Sequence, residues 1–266
     1  MRNDIYAQPQ TGTSLDECEF YHTCEIPGIG LVEGQWDLRH GLAQYLGNYD
    51  FTNKRVLEIG PASGFLTFHI EKTAREVVAM DLPIDLKLWN FVPYDRLRIG
   101  NNPTPQGAEV EKSFRAHIER IRNGFWLCHE KFQSSARVCY SATDELPKEL
   151  GMFDVAVLGS VLLHTQCPTK VLECCADLCT GSIIITELLD RTLGDAPICR
   201  FLPSIENDLW HTWWNFTPQF FTQYLSVLGF TTLTVSTHKQ VAFNQEIELF
   251  TIVATRPSTM SRMNQK

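Results

Sequence analysis

Long apolar runs are missing from this sequence of 266 residues. A helix needs about 20 consecutive apolar residues to cross a bilayer, and no stretch reaches that length. The first residues are polar and acidic, without the apolar core of a secretory signal peptide. We therefore expect a cytoplasmic protein with no membrane-spanning segment.

Paired cysteine motifs are also missing. The nine cysteines are odd in number and include no CxxC pair, the spacing typical of a metal site or a redox pair. We expect them to be small buried side chains in a reducing compartment, with no bound metal. A metal site that uses Cys174, Cys175 and Cys179 is the alternative.

Positive charge is scarce, and Lys and Arg form no cluster. The formal net charge is -8 and the sequence pI is about 5.5. Affinity for nucleic acid depends mainly on Lys and Arg that neutralise phosphates. This composition argues against a nucleic-acid partner, although an acidic chain can still carry a local basic patch.

Short apolar runs alternate with helical patterns, which is typical of a parallel sheet with crossover helices. Only a short polar turn separates the last two runs, which predicts an antiparallel hairpin. We predict an α/β fold with a Rossmann-like seven-stranded sheet that is mostly parallel, ends in this hairpin and has helices on both faces. The predicted strands are Arg55–Gly60, Glu76–Leu82, Ala136–Ala142, Phe153–Gly159, Gly181–Leu188, Thr231–Ala242 and Ile247–Thr255.

The chain is predicted to form a single domain over residues 18–256, in which residues 18–50 cover the site. The ends, 1–17 and 257–266, are polar and predicted to be mobile. Residues 83–135 connect the second and third predicted strands, whereas a whole βαβ unit needs only about 30 residues. The excess predicts a lid-like insertion near the substrate, and a surface embellishment is the alternative.

The first predicted strand runs into the pattern Glu58-x-Gly60-x-x-x-Gly64, and a helical pattern follows. The two glycines let the backbone turn tightly and approach a ligand closely. Glu58 can accept a hydrogen bond from a ligand amine or organise the loop. The second predicted strand ends at Asp81, which is 81 − 60 = 21 residues after Gly60. An acid at this spacing can bind a ribose diol, and a helix cap or a loop charge is the alternative.

This spacing fits both NAD and S-adenosylmethionine. The dinucleotide fingerprint is G-x-G-x-x-G, and here Ala62 stands at its second glycine while Gly60 and Gly64 are four residues apart. The missing fingerprint disfavours a nicotinamide-dependent oxidoreductase.

Four segments in order resemble the successive motifs of class I S-adenosylmethionine-dependent methyltransferases: VLEIGPASGFLT, VVAMDL, FDVAVLGSVLLH and GSIIITELLD. The resemblance covers about residues 50–256. Two flanking segments, FYHTCEIPGIGLVEGQWDLR and HTWWNFTP, look more weakly like a subgroup of small-molecule and tRNA wobble-uridine methyltransferases. The resemblance implies S-adenosyl-L-methionine as cofactor and S-adenosyl-L-homocysteine as product.

The resemblance also implies a role for each matching residue. Asp81 would hold the ribose hydroxyls, and Leu82 would pack on the adenine. The acid that often accepts from the adenine amine in the family is replaced by Ala142, so that Asp144 or a backbone carbonyl would make this contact. The implied cofactor-binding set is Glu58, Gly60, Pro61, Ala62, Ser63, Gly64, Asp81, Leu82, Ala142, Thr143, Asp144, Gly159, Ser160 and Val161.

One position departs from part of this family. Relatives that transfer a carboxymethyl group to tRNA carry a Tyr before the His that corresponds to His164, and Leu163 stands there instead. Leucine cannot hydrogen-bond an additional carboxylate on the cofactor. This departure favours ordinary methyl transfer.

Three residues are candidates for the catalytic base that a hydroxyl acceptor requires. His164 ends the VLLH segment, His211 lies in an aromatic cluster, and Glu187 ends the fifth predicted strand. Histidine is the natural candidate because it titrates near neutral pH. For His164, a structural role in the loop after the fourth strand is the alternative.

The tryptophans form the candidate acceptor site. Three of the six lie within five residues, and a flat acceptor could stack on them; packing of the core against the following helix is the alternative. A fourth would cover the site from the N-terminal segment. The predicted set is Trp210, Trp213, Trp214 and Trp36.

The predicted function is transfer of a methyl group from S-adenosyl-L-methionine to a small-molecule acceptor, at a hydroxyl oxygen. A tRNA-modifying methyltransferase and a non-catalytic S-adenosylmethionine-binding protein are the alternatives. A basic groove beside the cofactor would favour RNA, and an enclosed aromatic pocket would favour a small acceptor.

Overall fold

The computed structural model describes residues 5–84, 98–99, 102–204, 206–207, 209 and 211–257. Its central sheet has eight strands in the order β3-β13-β14-β10-β9-β4-β5-β8. Three two-stranded sheets, β1-β2, β6-β7 and β11-β12, lie outside it. The strands are β1 Cys24–Ile26, β2 Gly30–Val32, β3 Trp36–Asp37, β4 Arg55–Ile59, β5 Glu76–Asp81, β6 Arg98–Ile99, β7 Asn102–Pro103, β8 Arg137–Tyr140, β9 Phe153–Gly159, β10 Cys179–Leu188, β11 Cys199–Phe201, β12 Trp214–Phe216, β13 Thr232–Ala242 and β14 Gln245–Thr255.

The sequence predicted seven of the eight strands of this sheet. Strands β4, β5, β8, β9 and β10 are parallel, and β14 pairs antiparallel with both β10 and β13. The predicted reversal of the last strand is therefore confirmed. The predicted strand count was wrong by one, because β3 adds to the edge of β13. Strand β3 has only two residues, too few to show an alternating pattern.

Neighbouring residues of the central strands pack into opposite faces of the sheet. In β10, Ile183 and Ile185 join one apolar cluster while Ile184 joins the other, as the two-residue period of a strand requires. Both faces are buried because helices cover them. The α-helices in the described residues are α1 Leu42–Tyr45, α2 Phe65–Ile70, α3 Pro105–Lys131, α4 Pro168–Leu178 and α5 Pro218–Val227.

The helices divide between the two faces. Helices α4 and α5 contribute Val171, Leu172, Phe221 and Leu225 to one cluster. Helices α1 and α2 pack on the other face, where α3 extends the core through Phe125 and its neighbours. The predicted Rossmann-like arrangement, with helices on both faces, is confirmed.

Helix α3 occupies most of the predicted insertion. Thr104 caps it by accepting a hydrogen bond from Gly107 N at 3.1 Å, and Pro105 takes the first helical position, where a missing N–H costs nothing. Residues 85–97 and 100–101 lie outside the described residues. Whether the insertion acts as a lid stays a prediction.

The N-terminal residues lie against the domain. Ala7 N donates to Val138 O at 2.8 Å, and Gly12 N donates to Glu130 Oε2 at 2.8 Å. The predicted boundaries, including mobile residues 1–17 and 257–266, stay predictions.

No helix among the described residues combines the length and hydropathy that a membrane crossing requires. No group of His, Cys, Asp and Glu side chains in that part of the chain could hold a metal ion, and the nine cysteines are free thiols.

Candidate cofactor and acceptor site

The loop between β4 and α2 is built from left-handed backbone. Gly60 has φ 72°, Ala62 φ 49° and Gly64 φ 86°. Gly60 N donates to Met80 O at 2.9 Å, which ties the loop to β5. A Cβ atom on Gly64 would lie 2.3 Å from Phe68 Cε2, so this glycine is required by both conformation and packing.

Ser63 joins this loop to the N-terminal segment. Its hydroxyl oxygen accepts from Tyr21 N at 3.2 Å and from His22 N at 3.4 Å. The His22 ring stacks on Phe65 at the start of α2, with centroids 5.6 Å apart. Residues 21–22 therefore lie directly on the candidate cofactor loop.

Glu58 has one carboxylate oxygen without a partner. The side chain is 1% exposed, and Oε2 accepts from Thr67 Oγ1 at 2.5 Å. Oε1 is buried and has no hydrogen-bond partner among the described residues. Burial raises the pKa of Glu58 to about 7, Thr67 opposes this shift, and the nearby charge of Asp81 adds to it. A buried carboxylate oxygen without a donor is costly, so this atom is suited to a ligand N–H.

Asp81 ends β5 beside Glu58, as the sequence predicted. Its Oδ1 accepts from Leu82 N at 2.8 Å. Burial raises the pKa of Asp81, while the charge of Arg122 and the bond from Leu82 oppose this shift. Part of the residue remains exposed at the end of β5, next to the start of the loop that follows it.

An open depression of about 570 Å³ adjoins the end of β5. Ala142 lies in its wall. Asp144, in contrast, is exposed, and its backbone oxygen accepts from Cys174 Sγ at 3.1 Å. Neither Asp144 nor Thr143 lines the depression, whose wall consists of Pro83, Tyr140, Ser141, Ala142, Glu145, Leu146, Pro147 and Lys148.

The loop after β9 contacts the loop after β4. Ser160 has φ 50°, donates its N–H to Thr186 O at 2.7 Å and accepts from the Tyr45 hydroxyl at 3.2 Å. A Cβ atom on Gly60 would lie 2.8 Å from Val161, and one on Gly159 would lie 2.9 Å from the Tyr45 hydroxyl. The structure thus brings Val161 against the candidate cofactor loop, whereas Gly159 and Ser160 lie against Tyr45.

Glu187 is buried beneath the same loop, with 1% of its surface exposed. Its Oε1 accepts from Leu162 N at 2.9 Å and so holds the short 3-10 turn Leu162–His164. Burial raises the pKa of Glu187 to about 8, and backbone hydrogen bonds from Leu162 and Leu163 oppose this shift. Burial therefore favours the protonated form of Glu187.

His164 ends this turn and contacts His211. His164 Nδ1 lies 2.8 Å from His211 O, and the two rings have centroids 6.1 Å apart. Because a carbonyl oxygen can only accept, Nδ1 carries the proton and Nε2 keeps a free lone pair in the neutral ring. Desolvation by neighbouring atoms lowers the pKa of both histidines, and for His164 the hydrogen bond to His211 O opposes this shift; both side chains nevertheless keep exposed surface.

The predicted tryptophans lie in different parts of the structure. Trp213 is buried and its backbone N donates to Leu163 O at 2.8 Å, while Trp214 Nε1 donates to Thr165 O at 3.0 Å. Both rings contact Phe201 of strand β11, at centroid distances of 5.8 and 5.3 Å. Trp36 lies in β3, where its N donates to Tyr21 O at 2.9 Å. Trp210 lies outside the described residues.

Sequence reasoning missed three residues that hold the site together. Thr67 could have been found, because it lies on the first turns of the helix that follows Glu58. Tyr45 and Arg122 reach the site from distant segments and show no local signal in the sequence. All three act on residues that the sequence did identify.

Solved structures with a similar fold include the N-terminal domain of EvdMO1 with SAH (S-adenosylhomocysteine) bound. That chain is 15% identical, the match covers 91% of this chain and 93% of that one, and the TM-score is 0.50. The chain therefore shares the fold of this SAH-binding domain. Also similar, at 16% identity and a TM-score of 0.49, is 1,6-didemethyltoxoflavin-N1-methyltransferase from Burkholderia thailandensis, with 82% of this chain and 75% of that one covered. No protein-family model and no curated protein matches the sequence.

Proposed function

We propose that the protein is an S-adenosylmethionine-dependent methyltransferase whose cofactor lies along the carboxyl ends of β4, β5 and β9. The buried, unpartnered Oε1 of Glu58 carries this proposal. It lies beside the loop of Gly60 and Gly64, at the sheet edge where α/β folds bind nucleotides. The SAH bound to the EvdMO1 domain, which shares the fold, supports the same assignment.

The residues present fit each part of this cofactor. Glu58 Oε1 would accept from the amine of the methionine portion, and Asp81 would accept from the ribose hydroxyls. Leu82 and the depression beside Ala142 would take the adenine. When bound, S-adenosylmethionine supplies an electrophilic methyl group on a sulfonium.

A small molecule with a hydroxyl group is the proposed acceptor. The acidic chain disfavours RNA, and Phe201, Trp213 and Trp214 form an aromatic cluster beside the turn that ends at His164. The neutral His164 ring offers a lone pair at Nε2, so we propose it as the base that removes the acceptor proton. His211 orients that ring through its carbonyl oxygen.

Glu187 is better suited to positioning than to proton removal. Burial favours its protonated form, and one oxygen already accepts from Leu162 N. We propose that it holds the turn carrying His164. Trp36 would then close the N-terminal side of the site through its contact with Tyr21.

Calorimetry with S-adenosylmethionine, SAH and NAD tests the proposal. Binding of both sulfur nucleotides, without binding of NAD, is the expected result. Glu58→Gln keeps the size of the side chain but places an amide where a carboxylate should meet an amine, and should weaken SAH binding. If neither sulfur nucleotide binds at millimolar concentration, the proposed function is wrong. If both bind but no hydroxyl, amine or tRNA acceptor is methylated, a non-catalytic binding protein is the better description.

A further inference from the structure

Arg122 of helix α3 reaches the carboxyl end of β5. Its terminal nitrogen Nη2 donates to Leu82 O at 2.5 Å, and its guanidinium carbon lies 4.0 Å from the centre of the Tyr140 ring. Its Nε is buried and has no hydrogen-bond partner among the described residues. A cation therefore stands between the segment that carries Asp81 and the strand that leads to Ala142.

A second arginine of α3 contacts the same segment. Arg115 lies seven residues, about two helical turns, before Arg122 and so on the same face of the helix. Its Nη1 donates to Ile84 O at 2.7 Å. Helix α3 thus holds the chain immediately after β5 at two successive points.

Among the residues that the structure describes, three charged or titratable groups face Asp81 from the elements around it. Arg122 faces it from α3, Glu58 from β4 and Tyr140 from β8. Arg122 is the cation among these three. Its charge favours the ionised form of Asp81, which burial alone would disfavour.

We propose that Arg122 is a positioning residue for the ribose and adenine end of the site, acting through Asp81 and Leu82. Its guanidinium fixes the Leu82 carbonyl and supplies the positive charge that keeps Asp81 a hydrogen-bond acceptor. This inference rests on the proposed function, because it assumes that Asp81 binds a ribose. The inference also gives the insertion a role besides the predicted lid, because Arg122 on α3 would complete a binding site formed by the sheet.

The shape of the side chain matters as well as its charge. A planar guanidinium can stack on the Tyr140 ring while its edge donates to Leu82 O, whereas an ammonium group is a compact point charge. Arg122→Lys should therefore keep the electrostatic effect on Asp81 and lose the stacking. Arg122→Gln should lose both.

The test compares SAH affinity across pH in four proteins: the wild type, Arg122→Gln, Arg122→Lys and Arg115→Gln. SAH and its 2′-deoxy analogue are the ligands, and thermal melts verify that each variant folds. In Arg122→Gln, the acid-side loss of SAH affinity should move up by about one pH unit, which corresponds to about tenfold weaker binding where the profiles diverge. Glu58 is common to all four proteins, so it does not account for a difference between them.

The controls separate positioning from support of the fold. Arg122→Lys should restore the wild-type pH profile, and Arg115→Gln should leave its midpoint unchanged. The preference for SAH over the 2′-deoxy analogue should shrink in Arg122→Gln. Equal weakening of both ligands at every pH would overturn the inference and leave Arg122 a structural residue, as would unchanged binding. If the wild type binds neither ligand, the proposed function itself fails.

Discussion

Glu187 holds the turn that follows a neighbouring strand, because its carboxyl oxygen accepts from Leu162 N at 2.9 Å across 25 residues of sequence. The bond joins the end of β10 to the loop after β9. That loop carries Leu163 and His164, so a buried acid determines where the candidate base lies. Glu187, which the sequence suggested as a candidate base, thus has the Leu162 amide as its structural partner.

Two substitutions of Glu187 should measure the contribution of this hydrogen bond. Glu187→Gln keeps a carbonyl acceptor, whereas Glu187→Ala leaves the Leu162 amide unsatisfied and should lower the free energy of unfolding by about 1–3 kcal/mol more. Denaturant titrations of the two variants measure the difference. Equal stability of the two would show that the hydrogen bond contributes little.

The raised pKa of Glu187 predicts how the stability of the fold varies with pH. Burial raises its pKa from 4.5 to about 8, so the folded protein keeps a proton that the unfolded chain releases. The free energy of unfolding should therefore fall as the pH rises through that window. Glu187→Gln cannot lose a proton, so its stability should fall less than that of the wild type. Glu58 titrates in the same direction in both proteins and cancels from the comparison.

His22 should make the fold sensitive to acid. Burial lowers its pKa from 6.5 to about 3, and its Nδ1 has no partner among the described residues. Between these two pH values His22 is protonated in the unfolded chain but neutral in the folded protein. The free energy of unfolding should therefore fall as the pH drops from 6.5 towards 3. His22→Phe keeps a ring on Phe65 and should unfold at lower pH than the wild type. The exposed His40 provides the control, because His40→Gln should leave acid unfolding unchanged. An acid transition that does not move in His22→Phe would contradict this account.

The parallel core was predictable because its signal is local. Strands such as β9 bury nearly every residue, so they appear in the sequence as continuous runs of Val, Ile, Leu and Ala. The pattern from Glu58 to Gly64 is equally local, since tight turns require glycine at particular positions. The position of Asp81 at the end of the second strand was predictable from the length of one βαβ unit.

The remaining parts of the site depend on contacts between distant segments. Tyr21 meets Ser63 across 42 residues, and Tyr45 meets Ser160 across 115. No spacing rule predicts such pairs, because their geometry is set by how the N-terminal segment crosses the finished sheet. Strand β3 escaped prediction for the same reason, since it forms by adding to the edge of β13.

Ser63 should determine how firmly the N-terminal segment is held. Ser63→Ala removes the acceptor for the amides of Tyr21 and His22, which should cost about 1–3 kcal/mol of stability. Hydrogen exchange at residues 21–22 should rise more than exchange in the central strands. Ser226→Ala, an exposed serine of α5, is the control and should change neither. A uniform rise across the sheet would indicate global destabilisation instead.

Two glycines with left-handed backbone allow strain and packing to be measured separately. Gly28 has φ 77° in the turn closed by Ile29 N and Ile26 O, with no atom within 4 Å of an added Cβ, whereas at Gly64 that atom would lie 2.3 Å from the Phe68 ring and 2.8 Å from Phe125. Gly28→Ala should cost about 1–2 kcal/mol through backbone strain alone. Gly64→Ala should cost about 1–3 kcal/mol more because the added methyl overpacks the core. Equal losses in chemical denaturation would mean that the rings move aside freely.

Two aspartates are candidates for nucleotide contacts, Asp81 for the ribose and Asp144 for the adenine amine, and the structure favours Asp81. The Asp81 carboxylate lies at the end of β5 near Glu58 and Arg122, whereas Asp144 is exposed; neither residue lines the depression. Asp81→Ala should weaken SAH binding by about 1–3 kcal/mol, the range for a hydrogen bond to a charged group. Asp144→Ala should bind SAH like the wild type. Calorimetry of both variants tests the assignment, and weaker binding in Asp144→Ala with no loss in Asp81→Ala would transfer the polar contact to Asp144. Losses in both would mean that the ribose and the adenine amine each have a carboxylate partner.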